Sequence, residues 1–130
     1  MISGVVRASE GRIRLMVRGA SHSECEIEAI IDTGYTGSLT LPPEIIASLH
    51  LRWKSYERGT LADGSVFDFD VYDGFVSWDG QERKITINEA DAEPLLGMAL
   101  LNGYELKMQV RSGGKVTIKR LPSKKPPKRR

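Results

Sequence analysis

Ile30-Ile31-Asp32-Thr33-Gly34 is the stretch of this 130-residue sequence that decides the fold. Two β-branched apolar residues are typical of the buried end of a strand, whereas Asp, Thr and Gly favour a tight loop. The stretch therefore predicts a carboxylate at the mouth of a hydrophobic core. Alternatively, Asp32 merely caps the turn before Tyr35-Thr36-Gly37, because Asp readily hydrogen-bonds the backbone just downstream. The tripeptide alone leaves both interpretations open.

Length and composition predict a single domain over residues 1–121, followed by a basic and disordered tail over residues 122–130. No apolar run approaches the roughly 20 residues that a membrane-spanning helix needs. Met1-Ile2-Ser3-Gly4 lacks the basic and then apolar pattern of a signal peptide. We therefore expect a soluble, cytoplasmic protein with no membrane partner.

The net charge of +2 conceals an uneven distribution. Seven of the 19 basic residues lie between Lys119 and Arg130, so the remainder of the chain is mildly acidic. A nucleic-acid-binding domain normally carries basic charge on its folded surface, which makes nucleic acid an unlikely partner except weakly through the tail.

The sequence predicts no cofactor and no metal site. Cys25 is the single cysteine, which excludes an internal disulfide, and we expect it to be a small strand residue. His22 and His50 lack ligand-like spacing and are expected in loops or at helix ends. Acidic residues at 68, 70 and 73 alternate with aromatic residues, which favours the solvent face of a strand over a calcium loop.

The remaining patterns predict mostly β-structure. Alternating polar and apolar residues indicate strands at Arg12–Leu15 and Glu24–Ile31, and Ser38–Leu41 is a further short strand. Pro42-Pro43 opens a helix that continues through Leu49. Turns are expected at Gly19–Ser23, Asp63-Gly64, Asp73-Gly74, Asp79-Gly80 and Gly113-Gly114. The aromatic residues, expected to pack in the core and on a flap, are Trp53, Tyr56, Phe67, Phe69, Tyr72, Phe75 and Trp78.

A second informative stretch is Glu93–Leu101, in which Leu95-Leu96-Gly97 leads into a short apolar helical turn. With both stretches in place, the sequence resembles the retropepsin-like (clan AA) aspartic proteases, particularly the small bacterial single-domain members, roughly from Glu24 to Lys119. In that family an apolar strand ends in Asp-Thr-Gly, and a later apolar-apolar-Gly strand supports it. A flap hairpin lies between the two motifs, and Thr60–Ser65 is its best match here. The resemblance implies an all-β fold, a closed acid-protease barrel with one or two short helices and a flap hairpin.

The resemblance also implies a homodimeric aspartic endopeptidase. Because the chain holds one Asp-Thr-Gly, Asp32 must meet Asp32 of a second copy to form the catalytic dyad. Thr33 is implied to hydrogen-bond across the two-fold axis, and Gly34 to keep backbone N–H groups close to the carboxylates. The implied catalytic residues are thus Asp32, Thr33 and Gly34, and the implied flap and cleft residues that bind a peptide or protein substrate are Tyr35, Leu61, Ala62, Asp63, Gly64, Leu96 and Gly97.

The sequence departs from the family pattern at three positions. Tyr35 is bulky where a small residue is usual, and it either crowds the cleft or points into the end of the barrel. Thr36 stands where many members have an acidic or amide residue, and Met98 replaces a basic or polar one. Two rival functions therefore stay open: a catalytically silent dimer of the same fold that binds extended peptides or a partner, and an adaptor whose basic tail contacts RNA.

Overall fold

The computed structural model describes residues 1–123, so the predicted tail from Lys124 onwards lies outside the described residues. The protein is all-β with two short helices, α1 (Pro43–Ser48) and α2 (Met98–Leu101). Its strands are β1 (Ile2–Arg7), β2 (Glu10–Arg18), β3 (Glu24–Ile31), β4 (Leu39–Leu41), β5 (Arg52–Thr60), β6 (Val66–Trp78), β7 (Gln81–Glu89), β8 (Leu95–Leu96), β9 (Tyr104–Met108) and β10 (Lys115–Arg120).

The strands form one sheet in the order β5-β6-β7-β4-β8-β3-β2-β1-β10-β9. Hairpins account for most neighbours, but β3 with β8 and β4 with β7 are parallel pairs between segments distant in sequence. β6 also pairs with β2 through Val17 and Val76, which brings the sheet back onto itself. Closure of a complete barrel remains a prediction.

The core explains why β3 ends where it does. Along this strand Ile27, Ala29 and Ile31 are buried, whereas the residues between them are more exposed. This period of two places one face on a core of aliphatic side chains from nearly every strand and from α1. Asp32 follows the last buried residue and lies at the edge of that core.

Most of the strands and turns that short sequence patterns predicted are present in the structure. β3 spans the predicted Glu24–Ile31, and Cys25 is half-buried in it. Asp79 and Gly80 both have positive φ (52° and 80°), which is typical of a tight two-residue hairpin turn. Hairpins also turn at the predicted Gly19–Ser23, Asp63-Gly64 and Gly113-Gly114.

One predicted turn was wrong. Asp73-Gly74 is not a turn, because β6 runs unbroken through both residues and pairs with Thr86 and Ile85 of β7. The aromatic residues, which were expected in the core and on a flap, differ in burial. Trp78 is buried, but three others are exposed on the β5–β6 hairpin, namely Trp53, Tyr56 and Phe67. Strand β1, which lies between β2 and β10, was not predicted.

Candidate active site

Asp32 is held at the point where two distant strands run side by side. Ile30 and Ile31 of β3 pair in parallel with Leu95 and Leu96 of β8. The Asp32 N–H then donates to the Leu96 carbonyl oxygen at 2.9 Å. The two motifs singled out in the sequence are therefore brought together, with Leu96 directly beside Asp32.

The Asp32-Thr33-Gly34 loop is a tight turn. The Gly34 N–H donates to Asp32 Oδ1 at 2.9 Å, and the Tyr35 N–H donates to the Asp32 carbonyl oxygen at 3.1 Å. Asp32 is half-buried, whereas Thr33 and Gly34 are exposed. The capping bond expected from Asp thus forms, and it fixes the position of the carboxylate.

The chain after β8 supports the loop through a close backbone contact. The N–H of Met98 donates to the Tyr35 carbonyl at 2.8 Å, and the N–H of Ala99 donates to the Gly37 carbonyl at 3.1 Å. A Cβ on Gly97 would collide with the same two carbonyl oxygens. Gly97 is therefore required by this close approach rather than by an unusual φ.

Tyr35 points into the fold of its own chain. Its hydroxyl accepts a hydrogen bond from Asn88 Nδ2 at 2.7 Å, and its ring leaves no room for a Cβ on Gly37 or Gly97. Burial raises the pKa of Tyr35 to about 12, although the Asn88 bond acts in the opposite direction. Of the two orientations open from the sequence, the inward one is adopted within this chain.

Sequence reasoning missed two residues that build the site. Asn88, on β7, holds the Tyr35 hydroxyl. Thr40, on β4, is a buried polar residue whose Oγ1 accepts from the Leu95 N–H at 2.9 Å. The sequence offered one signal for Thr40, its position between two leucines in Leu39-Thr40-Leu41. A hydroxyl buried among apolar residues needs a hydrogen-bond partner, so this pattern indicates a structural role.

An ion-pair network fixes the segment that enters β8. Arg12 of β2 donates to Glu93 at 2.8 Å, to Glu10 at 2.8 Å and to Glu28 at 3.1 Å. Arg7 also pairs with Glu28. These hydrogen bonds raise the pKa of Arg12, and the Arg12 bond, followed by Arg7, lowers the pKa of Glu28. Arg12 thereby ties the approach to β8 onto β2 and β3.

The predicted flap is the tip of the β5–β6 hairpin. Its residues Leu61, Ala62, Asp63, Gly64 and Ser65 are all exposed. Asp63 Oδ1 accepts from the Ser65 N–H at 2.8 Å and from the Ser65 hydroxyl at 2.6 Å, which lowers the pKa of Asp63. Gly64 has φ +86°, a conformation that suits glycine. In this chain the flap tip makes no described contact with Asp32.

A groove of about 320 Å³ adjoins Asp32. Apolar side chains line much of it, including Ile30, Leu95, Met108 and Val110. Among residues 1–123, no three His, Cys, Asp or Glu side chains are grouped so that they could hold a metal ion. No helix in this part of the chain is long and apolar enough to cross a membrane.

Comparison with solved structures identifies the architecture. The chain is similar to a retropepsin-like aspartic protease from Rickettsia conorii, with a TM-score of 0.57 and 18% identity over 94% of this chain and 91% of that one. It is also similar to EIAV protease complexed with the inhibitor HBY-793, with a TM-score of 0.54 and 15% identity over 72% of this chain and 86% of that one. No protein-family profile matches the sequence, and no curated protein matches it. The protein therefore has a retropepsin-like fold.

Proposed function

We propose that this protein is a homodimeric aspartic endopeptidase in which Asp32 and Asp32 of a second copy activate a water molecule. One observation carries the proposal: the Asp32 loop is pinned to β8 by the bond from the Asp32 N–H to the Leu96 carbonyl. That bond gives a half-buried carboxylate a fixed position at the end of a core strand. The likeness in fold to retropepsin-like aspartic proteases supports the same function.

The chemistry requires two carboxyl groups. One ionised carboxylate takes a proton from water as the water attacks the peptide carbonyl, while the protonated partner hydrogen-bonds the carbonyl oxygen. Two carboxylates about 3 Å apart do not both ionise easily, so the pair shares one proton. Because the chain carries a single Asp-Thr-Gly, a two-fold axis must supply the second carboxyl group.

The remaining site residues position this pair or the substrate. Thr33 is exposed beside Asp32 and is assigned to hold the two loops together across the axis. The Gly34 N–H hydrogen-bonds the carboxylate. The flap closes over an extended peptide and excludes water. Substrate contacts are assigned to Tyr35, Leu61, Ala62, Asp63, Gly64, Leu96 and Gly97.

The decisive experiment compares wild type with Asp32→Asn on a diverse peptide library between pH 4 and 7. Asn keeps the shape of Asp but cannot share the proton, so cleavage should fall by a factor of about 10³ or more. Asp91→Asn is the matched control, because Asp91 is exposed and lies outside the Asp32 loop. The mass of each protein in solution is measured alongside.

Cleavage that survives Asp32→Asn would overturn the carboxylate mechanism. If wild type forms dimers but cleaves nothing, the second candidate takes over, a silent dimer that binds extended peptides. The exposed Trp53, Tyr56 and Phe67 on the β5–β6 hairpin favour that candidate, since they offer apolar surface next to the flap. Direct peptide binding by wild type would then establish it.

A further inference from the structure

The register of strands β5, β6 and β7 shows which face of the β5–β6 hairpin is turned towards the candidate site. Asn88 of β7 donates to the Tyr35 hydroxyl, so this side chain points to the chain that follows the Asp32 loop. Asn88 pairs with Val71 of β6, and Val71 pairs with Ser55 of β5. Directly paired residues place their side chains on one face, which repeats at every second residue. The inner face of the hairpin thus comprises Ser55, Glu57, Gly59, Phe67, Phe69 and Val71.

Glu57 is the one charged residue on the inner face. It lies opposite Phe69. The ring centroids of Phe67 and Phe69 lie 5.6 Å apart, and both rings approach Gly59. Burial raises the pKa of Tyr35, and the negative charge of Glu57 raises it further, so Glu57 lies within electrostatic range of the Tyr35 hydroxyl. The inner face therefore presents aromatic surface and one carboxylate beside the candidate site.

The carboxylate of Glu57 is exposed and forms no ion pair within residues 1–123. On the opposite, outer face of the same hairpin, Asp68 lies directly across from Arg58 and pairs with it at 3.4 Å. No Lys or Arg is found among the described residues that line the groove beside Asp32. A peptide held beneath the hairpin therefore meets a negative charge that this part of the chain does not neutralise.

We propose that Glu57 selects peptide substrates that carry a Lys or Arg side chain, which it binds beneath the β5–β6 hairpin. The carboxylate pairs with the charged end of that side chain through a charge-assisted hydrogen bond. The aliphatic stem lies along the rings of Phe67 and Phe69, since long basic side chains bury their stems on apolar surface. An acidic side chain at the same place meets like charge and is disfavoured.

The inference rests on the proposed function and names its substrate class, because a peptide must enter between the hairpin and Asp32 for Glu57 to reach it. An exposed charge on an edge strand has another use, which is to keep the edge from pairing with other strands. Strand β5 is a terminal strand of the sheet formed by residues 1–123, so that use is open to Glu57 as well. It predicts that removing the charge leaves the choice of peptide unchanged.

A lysine scan of a cleaved peptide tests the selection. A parent peptide that wild type cleaves is taken from the library, and each of its residues is replaced in turn by Lys, norleucine or Glu. Norleucine has an aliphatic stem like that of Lys but carries no charge. At one position Lys should raise kcat/KM about tenfold over norleucine in wild type, and Glu57→Gln should reduce this ratio to about one. Glu57→Lys should reverse the preference towards Glu at that position.

Asp68→Asn is the matched control. It removes one carboxylate from the same hairpin but from the outer face, and its ion pair with Arg58 is exposed, so the preference for Lys should stay as in wild type. Because Glu57 and Asp68 are both exposed, the variants should fold. Circular dichroism and thermal unfolding of each variant check this before the assays.

The outcomes separate this inference from the proposed function. A scan in which no position favours Lys, or a preference that survives Glu57→Gln, would overturn selection by Glu57, while Asp32-dependent cleavage would still support the protease. If wild type cleaves no peptide, its binding to an arrayed peptide library replaces the kinetic readout. Binding that favours Lys or Arg and is lost in Glu57→Gln would keep the inference and remove the enzyme. Binding without that preference, or no binding, would overturn the inference as well.

Discussion

At the scale of single residues, Gly97 is the least replaceable position next to the candidate site. Its Cβ-free backbone lies against the carbonyl oxygens of Tyr35 and Gly37. Gly97→Ala must move backbone on one side, so the free energy of unfolding should fall by roughly 2–3 kcal/mol. Met98→Ala is the adjacent control, because Met98 is exposed and its loss should change stability by less than about 0.5 kcal/mol. Urea unfolding of both variants measures the difference, and equal midpoints would refute the close contact.

Tyr35 gives a second residue-scale prediction, which depends on pH. Tyr35→Phe leaves Asn88 Nδ2 without its acceptor and should cost about 1 kcal/mol of stability at pH 7. The folded pKa of Tyr35 is about 12, above the ordinary value of 10.0. Between these two values the unfolded chain loses the Tyr35 proton while the folded chain retains it, so stability declines as pH rises through this window.

The comparison between wild type and Tyr35→Phe isolates that effect, since other groups titrate equally in both proteins. The stability advantage of wild type should be largest below pH 10 and should shrink between pH 10 and 12. Urea unfolding across this range, with absorbance titration of the tyrosines, provides the measurement. A constant difference between the two proteins would show that Tyr35 is not buried.

At the scale of elements, the flap turn depends on one carboxylate. Asp63 accepts both the N–H and the hydroxyl of Ser65, and these bonds hold its pKa below its usual range. The ordering therefore persists above the usual Asp value and is lost as pH falls through the lowered one. Asp63→Ala should raise hydrogen exchange at Gly64 and Ser65 more than Ser65→Ala does, since Ser65→Ala removes just the hydroxyl bond. Equal exchange in both variants would contradict this role.

The elements that could be predicted from sequence are those whose cause is local. The Asp79-Gly80 turn needs two residues that tolerate positive φ, and α1 begins at a proline pair, so both are visible in the sequence. Asp73-Gly74 is a dipeptide typical of hairpin turns, yet Gly74 lies in the middle of β6 and its φ is not positive. Pairing with Ile85 on β7 decides its conformation, and that partner is set by tertiary structure.

The residues of the candidate site likewise fall into those that a local sequence pattern reveals and those that tertiary contacts decide. Asp32-Thr33-Gly34 and Leu95-Leu96-Gly97 could be recognised as motifs, because each is a compact pattern with a defined backbone role. Asn88 could not, since its partner Tyr35 is 53 positions away and nothing near Asn88 marks it. The inward direction of Tyr35 likewise follows from packing against Gly97, which no local pattern encodes.

At the scale of the whole molecule, the proposed mechanism makes catalysis a property of two chains, because each chain has one Asp-Thr-Gly and supplies one Asp32 to the dyad. In a mixture of wild type with Asp32→Asn, a dyad needs two wild-type chains, so activity should follow the square of the wild-type fraction. An equal mixture at constant total protein, after subunit exchange, should therefore retain about one quarter of full activity. Peptide cleavage across a series of mixing ratios measures the curve, with Asp91→Asn as the partner in a parallel series that should stay flat. A straight line would mean that each chain acts alone, because a single Asp32 would then suffice for the chemistry.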